Sequence, residues 1–428
     1  MKYVPFDLNG WDYSQPRSAF VESHGGKAFG LMLCEHLTLG SRFFRVPPWF
    51  MMNQDNASIA DETNTWIRDE WLAAHRSTLV IIRSSGHDED WHDGRSGVDR
   101  SNCGSGHPLV IKTYLRVRIN EGNLPLVVQS FEDGYGCVID VGWSWILGKP
   151  VVRFAIGNTT TVGKNTGYTS ATWDNEARFG LYDAETNEPI IPLEDPKLSP
   201  IIPELVRELV ASLRRIGIDY GVQLEAVVHP HHPEKWHLVQ LRPTPAAMHG
   251  ITSPLPRDGR LMMASCRVSK PGLCEGETII LSDRDNDISV QDLAYEIARI
   301  EGTQYDRSVD DEPERALLSG KIVLWDDRSF PKPEWSVYRA LGIARLGAIG
   351  QVMVFPLVNS SHGTSLDMTS FDPLYASKET AAKTASILFG TPGNSGYLRS
   401  YWPRGEWPTS PVRLCIASDG IYGEIRLP

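Results

Sequence analysis

Gln223-Leu-Glu-Ala-Val-Val-His-Pro-His-His-Pro-Glu-Lys-Trp-His-Leu-Val-Gln-Leu-Arg-Pro243 decides how this chain is read. Two apolar or alternating runs flank His-Pro-His-His-Pro-Glu-Lys, and internal proline cannot sit in a central strand, so the stretch predicts a β-hairpin. Residues two apart share a face of a strand, which groups Gln223 with Glu225 and Gln240 with Arg242. Symmetric pairing about the turn, with His229 opposite Trp236, sets Glu225 opposite Gln240. A carboxylate, a carboxamide and a guanidinium then occupy one surface. Carboxylate and amide oxygens are hard ligands suited to Mg²⁺, and a guanidinium forks onto phosphate. The same residues also fit the solvated polar face of an ordinary hairpin. The turn His229-Pro-His-His232, with His237, offers imidazoles to a transition metal, but its two prolines suit a connector.

Immediately before the hairpin, residues 203–218 predict a helix, with Pro203 in its first turn, an apolar stripe at Val206, Leu209, Val210 and Leu213, and a closing Gly217. Further upstream, Gly25-Gly-Lys27 precedes an apolar helical pattern at Phe29, Leu33 and Leu37. A helix N-terminus presents unpaired N–H groups and a positive dipole end, so Lys27 there can help hold an anion; a plain loop entering a helix fits equally. Leu79-Val-Ile-Ile-Arg-Ser-Ser85 predicts a buried strand delivering Arg83, Ser84 and Ser85 to its end, a set that suits polyphosphate. An Arg83 paired to Asp88 or Asp90 is the rival arrangement. From Leu124 three strand-like runs, at Leu126, Gly136 and Val151, predict one antiparallel sheet.

At 428 residues the chain exceeds one ordinary core and predicts two or three domains. Thr244–Arg260 holds three prolines and two glycines without periodicity, so the boundary falls there: residues 1–245 form the first domain and 261–428 the second. The second reads as a compact α/β module with strands near Thr278, Lys321 and Gln351, helices near 290–300 and 335–346, and a final strand after Asp419-Gly. A net charge of −11 argues against nucleic acid or an anionic membrane as a general partner, because both need a basic field. Six cysteines without CxxC spacing indicate neither a zinc ribbon nor a disulfide framework. The N-terminus has no apolar signal core, and no run approaches the length of a membrane helix, so a cytoplasmic protein is expected.

Taken in order, Gly-Gly-Lys, strand-Arg-Ser-Ser, Val-Val-Gln129 and Glu225 to Gln-Leu-Arg-Pro resemble the nucleotide-binding domain of the pyruvate phosphate dikinase and phosphoenolpyruvate synthase family. The resemblance covers about the first 245 residues and implies an ATP-grasp fold with ATP and Mg²⁺ as cofactors. It implies that Lys27, Arg83 and Ser84 serve the ATP phosphates, Gln129 the adenine pocket, Glu225 and Gln240 the Mg²⁺, and Arg242 the transferring phosphoryl group. The second half is similar to that family's smaller swivelling phosphohistidine domain. There Ser360-Ser-His-Gly stands in place of Thr-Ser-His-Ala, making His362 the implied nucleophile. Three features depart from the family pattern: Leu357-Val-Asn359 before the histidine, Leu366-Asp-Met-Thr after it, and the lack of an acidic residue over 150–170. A chain of 428 residues also has no room for a phosphoenolpyruvate-binding barrel.

The resemblance therefore predicts an ATP-dependent phosphotransferase that passes phosphate through His362 to a small-molecule acceptor or a separate acceptor protein. Two alternatives use the same nucleotide site. One is an ATP-grasp ligase that activates a carboxyl group for condensation and needs no carrier histidine; the other is a nucleotide-binding regulatory protein with a decayed carrier domain.

Overall fold

The computed structural model describes residues 25–52, 79–85, 102–105, 125–157, 178–193, 195–229, 231–243, 258–265, 272–281, 320–325, 350–353, 398–401, 412–419 and 421–428. Across these residues the fold is mixed α/β, with three sheets and two helices. Helix α1 (Gly26–Thr38) and helix α2 (Ile202–Arg215) both arise where the sequence predicts them. Phe29, Leu33 and Leu37 of α1 are buried, as is the whole α2 stripe from Val206 to Leu213 that the spacing marks out. Gly217 follows α2 with φ of 80°, the left-handed conformation that ends helices.

The first large sheet places the hairpin strands β10 (Val222–His229) and β11 (His232–Pro243) beside β6 (Tyr135–Ser144) and β7 (Lys149–Gly157). Its order runs from β1 (Phe44–Arg45) through β11, β10, β6 and β7 to β8 (Arg178–Asp183) and β9 (Pro189–Ile191). One face is apolar: Leu224, Ala226, Leu238, Leu241, Trp236, Ile139 and Phe154 join residues of α1 and α2 in the main core. The opposite face of the same strands carries Gln223, Glu225, Asp140, Arg153, Gln240 and Arg242, all buried.

A four-stranded sheet, in the order β2 (Trp49–Met52), β5 (Leu126–Ser130), β3 (Leu79–Ser84) and β4 (Asn102–Ser105), lies near the start of α1. Ala28 and Leu31 of α1 pack on its Val127. This corrects the expectation of a single sheet after Leu124, because β5 pairs with β2 and β3, whereas β6 lies between β10 and β7 in the large sheet. The run Leu126–Ser130 is buried on both faces, which a periodicity argument cannot assign to one sheet or another.

The C-terminal half supplies a second seven-stranded sheet, in the order β12 (Arg260–Ser265), β18 (Gly423–Leu427), β17 (Arg413–Ser418), β13 (Gly272–Leu281), β14 (Lys321–Trp325), β15 (Gly350–Met353) and β16 (Leu398–Tyr401). β13 to β16 run parallel to their neighbours in that series. Ala417, Ile421 and Tyr422 pack on Ile146, Val151 and Leu181 of the first large sheet. Asp419 clamps the contact by accepting hydrogen bonds from the Ser144 hydroxyl at 2.5 Å and the Ile146 N–H at 3.1 Å. The helices expected near 290–300 and 335–346, most of the linker expected at 244–260, and the Ser360-Ser-His-Gly loop with His362 lie outside the described residues. Among the described residues no helix is long and apolar enough to cross a membrane.

Candidate functional site

The hairpin pairs Glu225 with Gln240, as the sequence predicts, and Gln223 with Arg242 on a separate rung. The expected partnership of His229 with Trp236 does not form. Trp236 lies opposite Val228, and His229 opposite His232. The cause is a bulge: Glu225 pairs with Gln240 but Ala226 pairs with Leu238, leaving Val239 as the extra residue. Leu238 and Leu241 both enter the core although they are three residues apart, a spacing that a regular strand cannot turn to one face. The bulge resolves this conflict, and the Val239 carbonyl accepts a hydrogen bond from Arg83 Nη1 at 3.1 Å.

Arg83 thus reaches from β3 of the small sheet to the hairpin of the large one. Its Nη2 also donates to Gln240 Oε1 and lies 3.7 Å from Glu225 Oε2. On the other side, Arg242 Nη2 stands 3.9 Å from Glu225 Oε1. One carboxylate therefore sits between two guanidiniums, with the Gln240 amide on the same rung. The alternative partners for Arg83, Asp88 and Asp90, lie outside the described residues.

Lys27 is buried in the first turn of α1. Ser85 at the end of β3 holds that turn, its hydroxyl accepting the Ala28 N–H at 3.1 Å. Gly25 has φ of 80°, and a Cβ there would lie 1.5 Å from the Ser85 carbonyl oxygen, so glycine is required for this close approach. The Gly-Gly pair thereby seats Lys27 at the strand end that carries Arg83. Ser84 alternates to the opposite face of β3 from Arg83, and Ser85 meets α1 instead.

Gln129 lies on the same face of the small sheet as Arg83, since its neighbour Val127 is the residue paired with Arg83. It is 1% exposed, and neither its amide oxygen nor its nitrogen has a hydrogen-bond partner among the described residues. A buried amide with both ends unsatisfied costs roughly 1–3 kcal/mol, which a bound polar ligand would relieve. Among the described residues, the buried Lys27, Arg83 and Arg242 bring three cationic groups to the neighbourhood of the Glu225 carboxylate. Cys34, beneath the hairpin, is no nucleophile: burial, then Glu35 and Glu225, push its thiol far above the usual range.

Sequence reasoning missed Asp140 and Arg153. They face each other across β6 and β7, with Arg153 Nε 2.8 Å and Nη2 2.5 Å from Asp140 Oδ2. The available signal was a lone charged residue in each of two apolar strands, Gly136-Cys-Val-Ile-Asp-Val and Val151-Val-Arg-Phe-Ala-Ile.

Among the described residues no group of three or more His, Cys, Asp or Glu side chains is arranged to hold a metal ion. Glu225 and Gln240 together offer hard oxygens on one rung. That suits Mg²⁺, which takes one or two protein ligands and completes its shell with phosphate and water.

No family model and no curated protein matches the sequence. Solved structures that match it include ligases. D-alanine–D-alanine ligase from Bacillus anthracis aligns at 10% identity over 50% of this chain and 55% of its own, with a TM-score of 0.29. L-amino acid ligase from Bacillus licheniformis aligns at 10% identity over 50% of this chain and 39% of its own, with a TM-score of 0.27. The macrocyclase MdnC from Microcystis aeruginosa, solved with its precursor peptide, aligns at 12% identity over 51% of this chain and 52% of its own, with a TM-score of 0.28. The chain thus spans between 39% and 55% of the length of these ligases.

These neighbours correct two expectations. The similarity to the pyruvate phosphate dikinase and phosphoenolpyruvate synthase family is replaced by a likeness to ligases, and the phosphotransferase working through His362 falls with it. The physical reason lies in what the motifs encode. An amine, guanidiniums and a hard-oxygen pair suit a Mg²⁺-triphosphate in more than one family, and they do not specify which group accepts the phosphoryl.

Proposed function

We propose that the chain is an ATP-dependent ligase of the ATP-grasp type, which activates a carboxylate by phosphorylation and condenses it with an amine. The observation that carries this reading is the buried Glu225–Gln240 rung flanked by Arg83 and Arg242. In this reading Glu225 and Gln240 would hold Mg²⁺, which neutralises charge on the phosphates when bound. Lys27 and Arg83 hold the phosphates, and Gln129 satisfies its orphan amide on the nucleotide base. Arg83 exchanges its protein oxygens, Gln240 Oε1 and the Val239 carbonyl, for phosphate oxygens, which releases the rung to the cation. Ser84 serves the nucleotide only through the backbone of its strand end, given the face it occupies.

A carboxylate acceptor is the part of this reading that the likeness to ligases supports. The cradle's described side chains are amine, guanidinium, carboxylate and carboxamide; of the two hydroxyls at the strand end, that of Ser84 is on the other face of β3 and that of Ser85 accepts the Ala28 N–H. Direct transfer to substrate is then the economical course. A substrate carboxylate oxygen attacks the terminal phosphorus, the bond to the bridging oxygen breaks, and ADP leaves. The amine nitrogen then attacks the acyl carbon, inorganic phosphate leaves with the C–O electron pair, and the amine gives up a proton to water. Arg242 addresses the transferring group, where positioning and charge stabilisation supply most of the catalysis.

The test is trapping of the acyl phosphate. The chain is incubated with Mg²⁺-ATP, hydroxylamine and pools of amino acids and other small carboxylates, and hydroxamate and ADP are quantified. Hydroxamate formed in step with ADP, and lost in Glu225→Gln, is the expected result. Phosphate bound covalently to the protein with AMP as product would overturn the ligase reading.

A further inference from the structure

Asp140, Gln223 and Arg153 lie outside the nucleotide contacts proposed above, yet they are buried polar groups in the middle of three adjacent strands. Register aligns them in one rung with Arg242: Gln223 pairs with Arg242 on one side and Asp140 on the other, and Asp140 pairs with Arg153. Hydrogen bonds run the length of that rung. Arg153 donates to Asp140 Oδ2, Gln223 Nε2 donates to Asp140 Oδ1 at 2.7 Å, and Arg242 Nε donates to Gln223 Oε1 at 2.8 Å. Arg242 Nη2 donates to the same Gln223 oxygen.

The chemistry makes the rung directional. An ionised carboxylate only accepts and a guanidinium only donates, so Gln223 satisfies both neighbours in a single orientation, oxygen to Arg242 and nitrogen to Asp140. Two donors of Arg242 meeting one oxygen fix the plane of its guanidinium, and that plane decides where the rest of the fork points. Stability alone is a weak reason for such a rung, because desolvating an ion pair offsets its attraction and apolar replacements are often as stable.

We infer that Asp140, Arg153 and Gln223 are positioning residues: a relay across β7, β6 and β10 that sets the guanidinium of Arg242 against the transferring phosphoryl group. This rests on the nucleotide reading of the site. It predicts that the relay matters to the terminal phosphate and not to the rest of the nucleotide.

Isothermal titration of the full chain with Mg²⁺ and either AMP-PNP, a non-hydrolysable triphosphate, or ADP tests this. The variants are Gln223→Met, which cuts the relay; Asp140→Leu with Arg153→Met, which removes the ion pair without stranding a charge; Arg242→Met; and each of the first two combined with Arg242→Met. Thermal unfolding identifies variants that fold, and Gln223→Met alone suffices if the pair variant does not. Cutting the relay is expected to weaken AMP-PNP by about ten- to a hundredfold, the range seen when a partner orienting a ligand-holding group is lost. ADP binding should stay within about twofold, and adding Arg242→Met should cost nothing further. Equal loss of both nucleotides, or losses that add to that of Arg242→Met, would overturn the relay while leaving the nucleotide site standing. A wild type that binds neither nucleotide overturns the site and the relay together.

Discussion

The base and the tip of one hairpin make opposite uses of ligand-capable side chains. At the base, Glu225, Gln240, Gln223 and Arg242 are buried, and Arg83 braces them from a different sheet. At the tip, His229, His231 and His232 crowd together, with ring centroids of His231 and His232 5.6 and 5.4 Å from that of His229. These rings are exposed and bonded locally: His229 Nδ1 accepts the His231 N–H at 3.2 Å, and His232 Nδ1 lies 3.3 Å from Glu234 Oε1. The tip has the denser run of metal-binding residue types, but the hydrogen bonds described for these rings come from the turn itself. The base draws groups from three strands and lies where water is excluded. Convergence of separate elements on a buried point, not local density of reactive residues, marks the candidate site.

The comparison breaks most severely at Gly30. A Cβ there would lie 2.1 Å from the Leu241 carbonyl oxygen, backbone against backbone, between Gln240 and Arg242 of the base. Gly30→Ala must push α1 off β11, and we expect a loss of about 1–3 kcal/mol or more in chemical denaturation, as overpacking typically costs. A stability change under about 0.5 kcal/mol would show that the helix and hairpin are not locked together. Next in size is Glu225→Gln, which keeps the volume and removes the charge between Arg83 and Arg242. Mg²⁺-dependent AMP-PNP affinity should fall by about a hundredfold, while affinity without Mg²⁺ changes little. An equal fall in both conditions would place Glu225 in the fold rather than at the cation.

Much of the base is legible in the sequence. Alternation groups the polar residues on one face, and symmetric pairing about the turn puts Glu225 opposite Gln240, although the His229–Trp236 pair assumed with it does not form. The bulge at Val239 is not legible in that way, since it answers a demand of the core: Leu238 and Leu241 must both face inward. Lys27 and Arg83 read locally as a helix start and a strand end, but only Ser85, capping α1 from β3, brings them together. Asp140 and Arg153 escape for a similar reason. Each looks like an isolated charge in an apolar strand until sheet order makes them neighbours. In the proposed function the acceptor is the part least legible, since the residue types of the buried rung suit a triphosphate and do not specify what accepts a phosphoryl group.

The smallest effects belong to the tip, and they sharpen the contrast. Partial burial, then the neighbouring His232 and His231, holds the His229 imidazole below its ordinary pKa in the folded chain. A base with a depressed folded pKa contributes stability that is present above its unfolded value, so this contribution is lost as pH falls below the usual imidazole range. Replacing His232 with Gln removes one of the neighbouring charges that oppose protonation, and the His229 midpoint should move up toward the ordinary value in an NMR titration of the ring protons. AMP-PNP affinity of the same variant should stay within about twofold of wild type, because the tip shares no partner with the buried rung. A midpoint that does not move would leave burial and the remaining histidines, His231 first, as the causes of the depression. A nucleotide affinity that falls with the imidazole would join tip and base into one site and erase the distinction between them.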